Sequence, residues 1–111
     1  ACAIILMSRD KAESLGVLAI AKVCSNADAC QSPELFTTSP SLAIPRALSR
    51  ANVSISDVSH FEINEAFAVV ALANMKILGL AADQVNALGG AVAMGHPLGC
   101  SGARIVCTLL T

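Results

Sequence analysis

The sequence predicts a layered α/β fold in which helices cover a mostly hidden sheet. Three observations lead there. Short apolar runs alternate along the 111 residues with segments that carry helix caps. The composition is 55% hydrophobic and 14% charged, against roughly 25% charged in ordinary soluble domains. A glycine-rich loop stands directly before an apolar helix, as in folds that gather chemistry beyond the carboxyl ends of their strands.

Taken in order, "ACAIILM" (1–7) is expected to be a buried strand. "SRDKAESLG" (8–16) follows as a short helix, with Ser8 as its N-cap and Gly16 at its end. "VLAIAKVCSNA" (17–27) is expected to be a second strand, although alanine weakens its β preference. "CQSPELFTTSP" (30–40) is a loop punctuated by Pro33 and Pro40, and a helix is expected from about Pro45 to a stop at Asn52. A helical turn at "SISDV" leads into a short strand, His60 to Ile63. Asn64 is placed to cap the helix "EAFAVVALANMKIL", which Gly79 closes. The last helix is expected from about Ser101. Neither end carries a helix cap or a turn, so both ends are expected to be interrupted elements of a longer protein.

Several function classes are disfavoured. Net charge is −1 and the seven basic residues are scattered, with few aromatics for base stacking, so nucleic acid is not expected as a partner. No run approaches the about 20 apolar residues that span a bilayer, and none has the basic flank of a signal peptide. Five cysteines at irregular spacing, with no C-x-x-C, argue against a zinc site. They suit a reduced, intracellular compartment.

The candidate chemistry lies in "GGAVAMGHPLGCSGAR" (89–104), which holds five of the seven glycines and His96. A neutral imidazole there can take a proton from a thiol or donate to a developing oxyanion, or it can simply fix the loop. Asn64 can cap a helix or hold a water or oxyanion with its amide. Glu65 suits the first turn of a helix, and Phe67 suits a core or a pocket wall. Cys100, four residues after His96 near a helix N-terminus, is an alternative nucleophile. The glycine spacing matches neither common nucleotide loop.

Two segments together resemble the C-terminal domain of the thiolase family. "FEINEAFA" (61–68) is similar to its N-E-A-F segment, and "GHPLGCSGAR" (95–104) to its G-H-P-x-G-x-S-G-A-R segment, in the same order and separation. "ELFTTSP" and "VVALANMKILGL" look most like the short-chain, acetyl-CoA acetyltransferase branch. The resemblance covers nearly the whole chain. It implies a thiolase-type layered fold, with helices packed on a mixed sheet and incomplete at both ends.

The resemblance also implies roles. His96 would activate a cysteine supplied by the other half of the enzyme and help to bind the thioester oxyanion. Asn64 would hold the water that completes this oxyanion site. Ala66 and Phe67 would lie near the bound acyl-CoA, and Phe36 would border the same pocket. Acetyl-CoA and acetoacetyl-CoA would be the substrates, in a ping-pong acyl transfer with no cofactor beyond the coenzyme A thioester. A cytoplasmic homo-oligomer, dimer or tetramer, is the expected setting. None of the five cysteines matches a catalytic cysteine of the family, and Leu88 stands where a polar residue is more usual. The chain alone is therefore expected to be inactive. Two other functions stay open: a longer-chain 3-ketoacyl-CoA thiolase, and a non-catalytic module that pairs with thiolase-like subunits.

Overall fold

A computed structural model describes all 111 residues. Five α-helices follow one another: α1 (Arg9–Ser14), α2 (Pro40–Ala51), α3 (Ala68–Leu78), α4 (Ala91–Met94) and α5 (Leu98–Leu109). Three 3₁₀ segments intervene, Pro33–Thr38, Ile55–Asp57 and Ala82–Gln84.

Helix ends follow local chemistry. The Ser8 hydroxyl accepts from the Lys11 N–H at 3.2 Å and starts α1. Asn52 closes α2 and Gly79 closes α3, both in the left-handed conformation (φ 55° and 69°). After each, the next amide reaches back five residues to a carbonyl, Val53 to Leu48 and Leu80 to Met75 at 3.0 Å each. Three helix starts differ from the sequence expectation. Helix α2 begins at Pro40, because proline is pre-organised for a first turn and the 3₁₀ segment feeds directly into it. Helix α5 begins at Leu98. Helix α3 begins at Ala68 with Phe67 at its N-cap, so Asn64 is not a cap.

The mixed sheet is not present as such. Its sole trace is one parallel bridge between Phe61 and Val85. There the Phe61 N–H donates to the Gln84 carbonyl at 2.8 Å and the Asn86 N–H to the Phe61 carbonyl at 2.9 Å. The segments expected as strands, 1–7 and 17–27, run without a partner strand. Leu18, Ile20 and Val23 are 91%, 83% and 72% exposed. A strand exists through backbone pairing with another strand, and these segments meet none inside the chain; segment 17–27 is tied instead to α2, through Ser25 to the Ala47 carbonyl and Arg50 to the Asn26 carbonyl.

Where pairing does occur, it builds the core. Phe61 and Ile63 turn to one side by strand alternation and pack with Val70 of α3 and Val85. Ile44, Ile55, Val58, Met75 and Leu80 close around them. Each such burial contributes roughly 1.5–3 kcal/mol. Only 11 of 111 residues are buried, and the radius of gyration is 15.0 Å, against about 13 Å for a packed domain of this length. Much apolar surface therefore remains uncovered. No helix is long and apolar enough to cross a membrane.

Candidate active site

Glu62 and Asn64 alternate with Phe61 and Ile63 along one segment. With Ile63, Phe36, Ala66 and Ile105 they line a cavity of about 540 Å³, within the ~300–1,000 Å³ range of small-molecule sites. His96 and Phe67 do not line it, but each contacts a residue that does. His96 Nε2 lies 3.4 Å from Asn64 Nδ2. The Phe67 ring stands edge-on to Phe36, with centroids 6.1 Å apart at 67°. Phe67 is 61% exposed, so it is a rim residue and not core.

Hydrogen bonding assigns the His96 tautomer. Asn64 Nδ2 is a donor only, so the Nε2 facing it carries the lone pair. Nδ1 then bears the proton and donates to Ser101 Oγ at 2.7 Å. The Ser101 hydroxyl is free to accept because its own proton reaches the Pro97 carbonyl at 3.3 Å. Ser101, buried in the first turn of α5, is thus a site residue that sequence reasoning used only as a helix start. Its signal was present as the serine of the G-x-S-G stretch, five residues after His96. Asn64 Oδ1 is buried and has no hydrogen-bond partner. Cys100 makes no hydrogen bond to His96, whose two nitrogens face Asn64 and Ser101. All five cysteines are free thiols. Burial, with the Cys100 and Cys107 thiols beside it, pushes the Cys2 thiol up.

Glu65 serves a helix other than the one expected. Its carboxylate accepts from the Val92 N–H at 2.9 Å, in the first turn of α4, and from Asn86 Nδ2 at 3.1 Å. Asn86, in the left-handed region at φ 51°, extends the bridge with its side chain: Oδ1 accepts from the Ile63 N–H at 2.8 Å and Nδ2 donates to the Ile63 carbonyl at 2.9 Å. The segment carrying Asn64 and the loop carrying His96 are tied together by this one network. No group of three or more potential metal-ligating side chains occurs.

Glu62 meets Arg104 of α5 at 3.5 Å, the two side chains being 7% and 14% exposed. Burial raises the Glu62 carboxyl above its ordinary 4.5, with Glu65 adding to the rise and Arg104 opposing it. A raised folded-state pKa means that Glu62 stabilises the fold fully below the unfolded value and loses that contribution as pH rises through the folded one. The stability of the chain relative to a Glu62→Gln variant is therefore expected to fall as pH rises through and above the ordinary carboxyl value of 4.5. Urea midpoints on either side of that value test this, and a difference that is flat or rises with pH would refute it.

Residues 17–111 match the family profile described as "Thiolase, C-terminal domain". The chain belongs to the thiolase family. It is 61% identical over 110 residues to acetyl-CoA acetyltransferase 1 of Arabidopsis thaliana, covering 99% of this chain and 26% of that protein. It is 59% identical over 109 residues to the acetyl-CoA acetyltransferase of Schizosaccharomyces pombe, covering 98% of this chain and 28% of the relative. This thiolase domain also superimposes on the crystal structure of the Bacillus anthracis acetyl-CoA acetyltransferase with a TM-score of 0.90 and 38% identity, over 94% of this chain and 26% of that one. The thiolase fold is thereby established, and the chain spans about a quarter of the length of these relatives.

Proposed function

We propose that this domain supplies the acid–base histidine and the oxyanion-site asparagine of an acetyl-CoA acetyltransferase. The observation that carries the proposal is the 3.4 Å approach of His96 Nε2 to Asn64 Nδ2 beside the cavity lined by Phe36 and Ala66. With its lone pair on Nε2, His96 takes the proton of a cysteine thiol contributed by the rest of the enzyme. The thiolate attacks the carbonyl of the acyl-CoA. Nε2–H and Asn64 Nδ2, the latter acting through a water, then donate toward the oxyanion. In condensation the carbonyl attacked is the thioester of acetyl-CoA, and coenzyme A departs with the proton. In thiolysis it is the 3-keto carbonyl of acetoacetyl-CoA: the C2–C3 bond breaks, and acetyl-CoA leaves as its enolate, which takes up a proton. The acetyl-cysteine is then resolved by the coenzyme A thiol, whose proton passes to the enzyme, in thiolysis. In condensation it is resolved by the enolate of a second acetyl-CoA, whose Cα proton goes to a base from the rest of the enzyme.

Acetyl-CoA and acetoacetyl-CoA are the proposed substrates, with no cofactor, in a cytoplasmic homo-oligomer. Phe36, which lines the cavity and meets Phe67 edge-on, supports a preference for short acyl groups over long ones. In the complete enzyme, segments 1–7 and 17–27 join a mixed sheet. Their exposed Ile5, Leu18 and Ile20 support this, since pairing and packing would cover them.

The purified 111-residue chain is expected to show no thiolysis of acetoacetyl-CoA, because none of its thiols meets His96. A chimera in which these residues replace the matching quarter of the Arabidopsis acetyl-CoA acetyltransferase 1 is expected to be active. Turnover by the chain alone would refute the proposal. A folded but inactive chimera would also refute it and favour the non-catalytic module.

A further inference from the structure

Asn74 is the single side chain larger than alanine that is completely shielded, at 0% exposure. It sits mid-way along α3, a helix that is otherwise apolar on nearly every side. A buried amide in such a helix is costly unless every polar atom is satisfied. Here Oδ1 accepts from the Ser41 N–H at 2.7 Å, and Nδ2 donates to the Thr37 carbonyl at 2.8 Å and the Val70 carbonyl at 2.7 Å. Two of these three bonds leave α3 and cross more than 30 positions of sequence, to the end of the Pro33–Thr38 segment and the first turn of α2.

Thr37 directly follows Phe36, so the Asn74 amide holds the backbone that carries the Phe36 ring. That ring both lines the cavity beside Asn64 and Ala66 and meets Phe67 edge-on. An apolar side chain here would pack beside Val70 and Ala71 but would leave the Ser41 N–H and the Thr37 carbonyl without this partner. The amide adds direction: the bond to the Thr37 carbonyl, with that to the Ser41 N–H just beyond it, fixes the end of the 3₁₀ segment against α3.

We propose that Asn74 is a positioning residue which, through Thr37, sets the Phe36 wall and so limits the length of acyl group that the cavity admits. The specificity half rests on the acyl-CoA reading given under Proposed function, whereas the positioning half does not.

The chain has three phenylalanines and no tyrosine or tryptophan, so labelled ring signals can be assigned singly. In the 111-residue chain, Asn74→Ser is expected to abolish the Phe36–Phe67 ring contact seen by nuclear Overhauser effects. The Phe61 ring, held in the core beside Val85, keeps its shift. A contact that persists in Asn74→Ser overturns the proposal. If Asn74→Ser loses all three ring environments together, Asn74→Asp takes its place, since a carboxylate still accepts from the Ser41 N–H but donates to neither carbonyl. Loss of the Phe36–Phe67 contact alone then supports the proposal, and general collapse of that variant too overturns it.

The second reading is titration of acetyl-CoA and octanoyl-CoA onto the chain and onto the chimera. Asn74→Ser is expected to weaken the preference for acetyl-CoA by about tenfold. In a Phe36→Ala background it is expected to change nothing further, because both substitutions then remove the same wall. An additive effect overturns action through Phe36. Failure of both unmutated proteins to bind either thioester overturns the acyl-CoA reading and the specificity half with it, while the ring contact still decides the positioning half.

Discussion

His96→Ala, introduced into a complete thiolase carrying this domain, is expected to lower kcat by roughly a thousandfold, equivalent to about 4 kcal/mol of transition-state stabilisation. The imidazole meets Asn64 beside the cavity and can both take a proton and return it, and in the proposed mechanism it also supplies one of two donors converging on the oxyanion. Ser101→Ala should act in the same direction but more weakly, by roughly tenfold. Without the 2.7 Å bond at Nδ1, the ring is no longer held with its lone pair on Nε2. Steady-state thiolysis measures both, and a His96→Ala enzyme retaining a tenth or more of wild-type kcat would refute the assignment.

Gly90→Ala is expected to destabilise the chain by roughly 3 kcal/mol and to separate His96 from Asn64. The backbone is not the obstacle, since Gly90 has φ −125° and ψ −160°, angles open to alanine. The obstacle is space. A Cβ at this buried position would lie 2.5 Å from the Glu65 Cδ and Oε2. An unrestrained glutamate would swing aside, but this carboxylate is anchored by the Val92 N–H and Asn86 Nδ2. Either those charge-assisted bonds are lost or the loop backs away from the Asn64 segment. Glu65→Ala removes the clash along with the anchor, so the double variant should be markedly less than additive. Urea unfolding followed by circular dichroism measures each ΔΔG. A Gly90→Ala cost below about 1 kcal/mol, or strict additivity with Glu65→Ala, would show that the loop is not clamped here.

The sequence by itself determined what depends on a few neighbouring residues. Ser8, Asn52 and Gly79 end or begin helices because a hydroxyl three residues from an amide, or a backbone able to adopt positive φ, acts within one turn. The two thiolase segments were legible for the same reason, being short and contiguous. What separated residues do to one another was decided by tertiary structure alone. Asn64 stands at a strand-to-helix junction where a cap is the local expectation, but Phe67 takes that place and the Asn64 amide meets His96, 32 residues away. Glu65 belongs to α4 rather than α3 because the Phe61–Val85 bridge brings Asn86 and Val92 to it. Segments 1–7 and 17–27 have strand-like sequences and no strand, since β-structure requires a partner's amides and carbonyls and an apolar run specifies only that it should be covered.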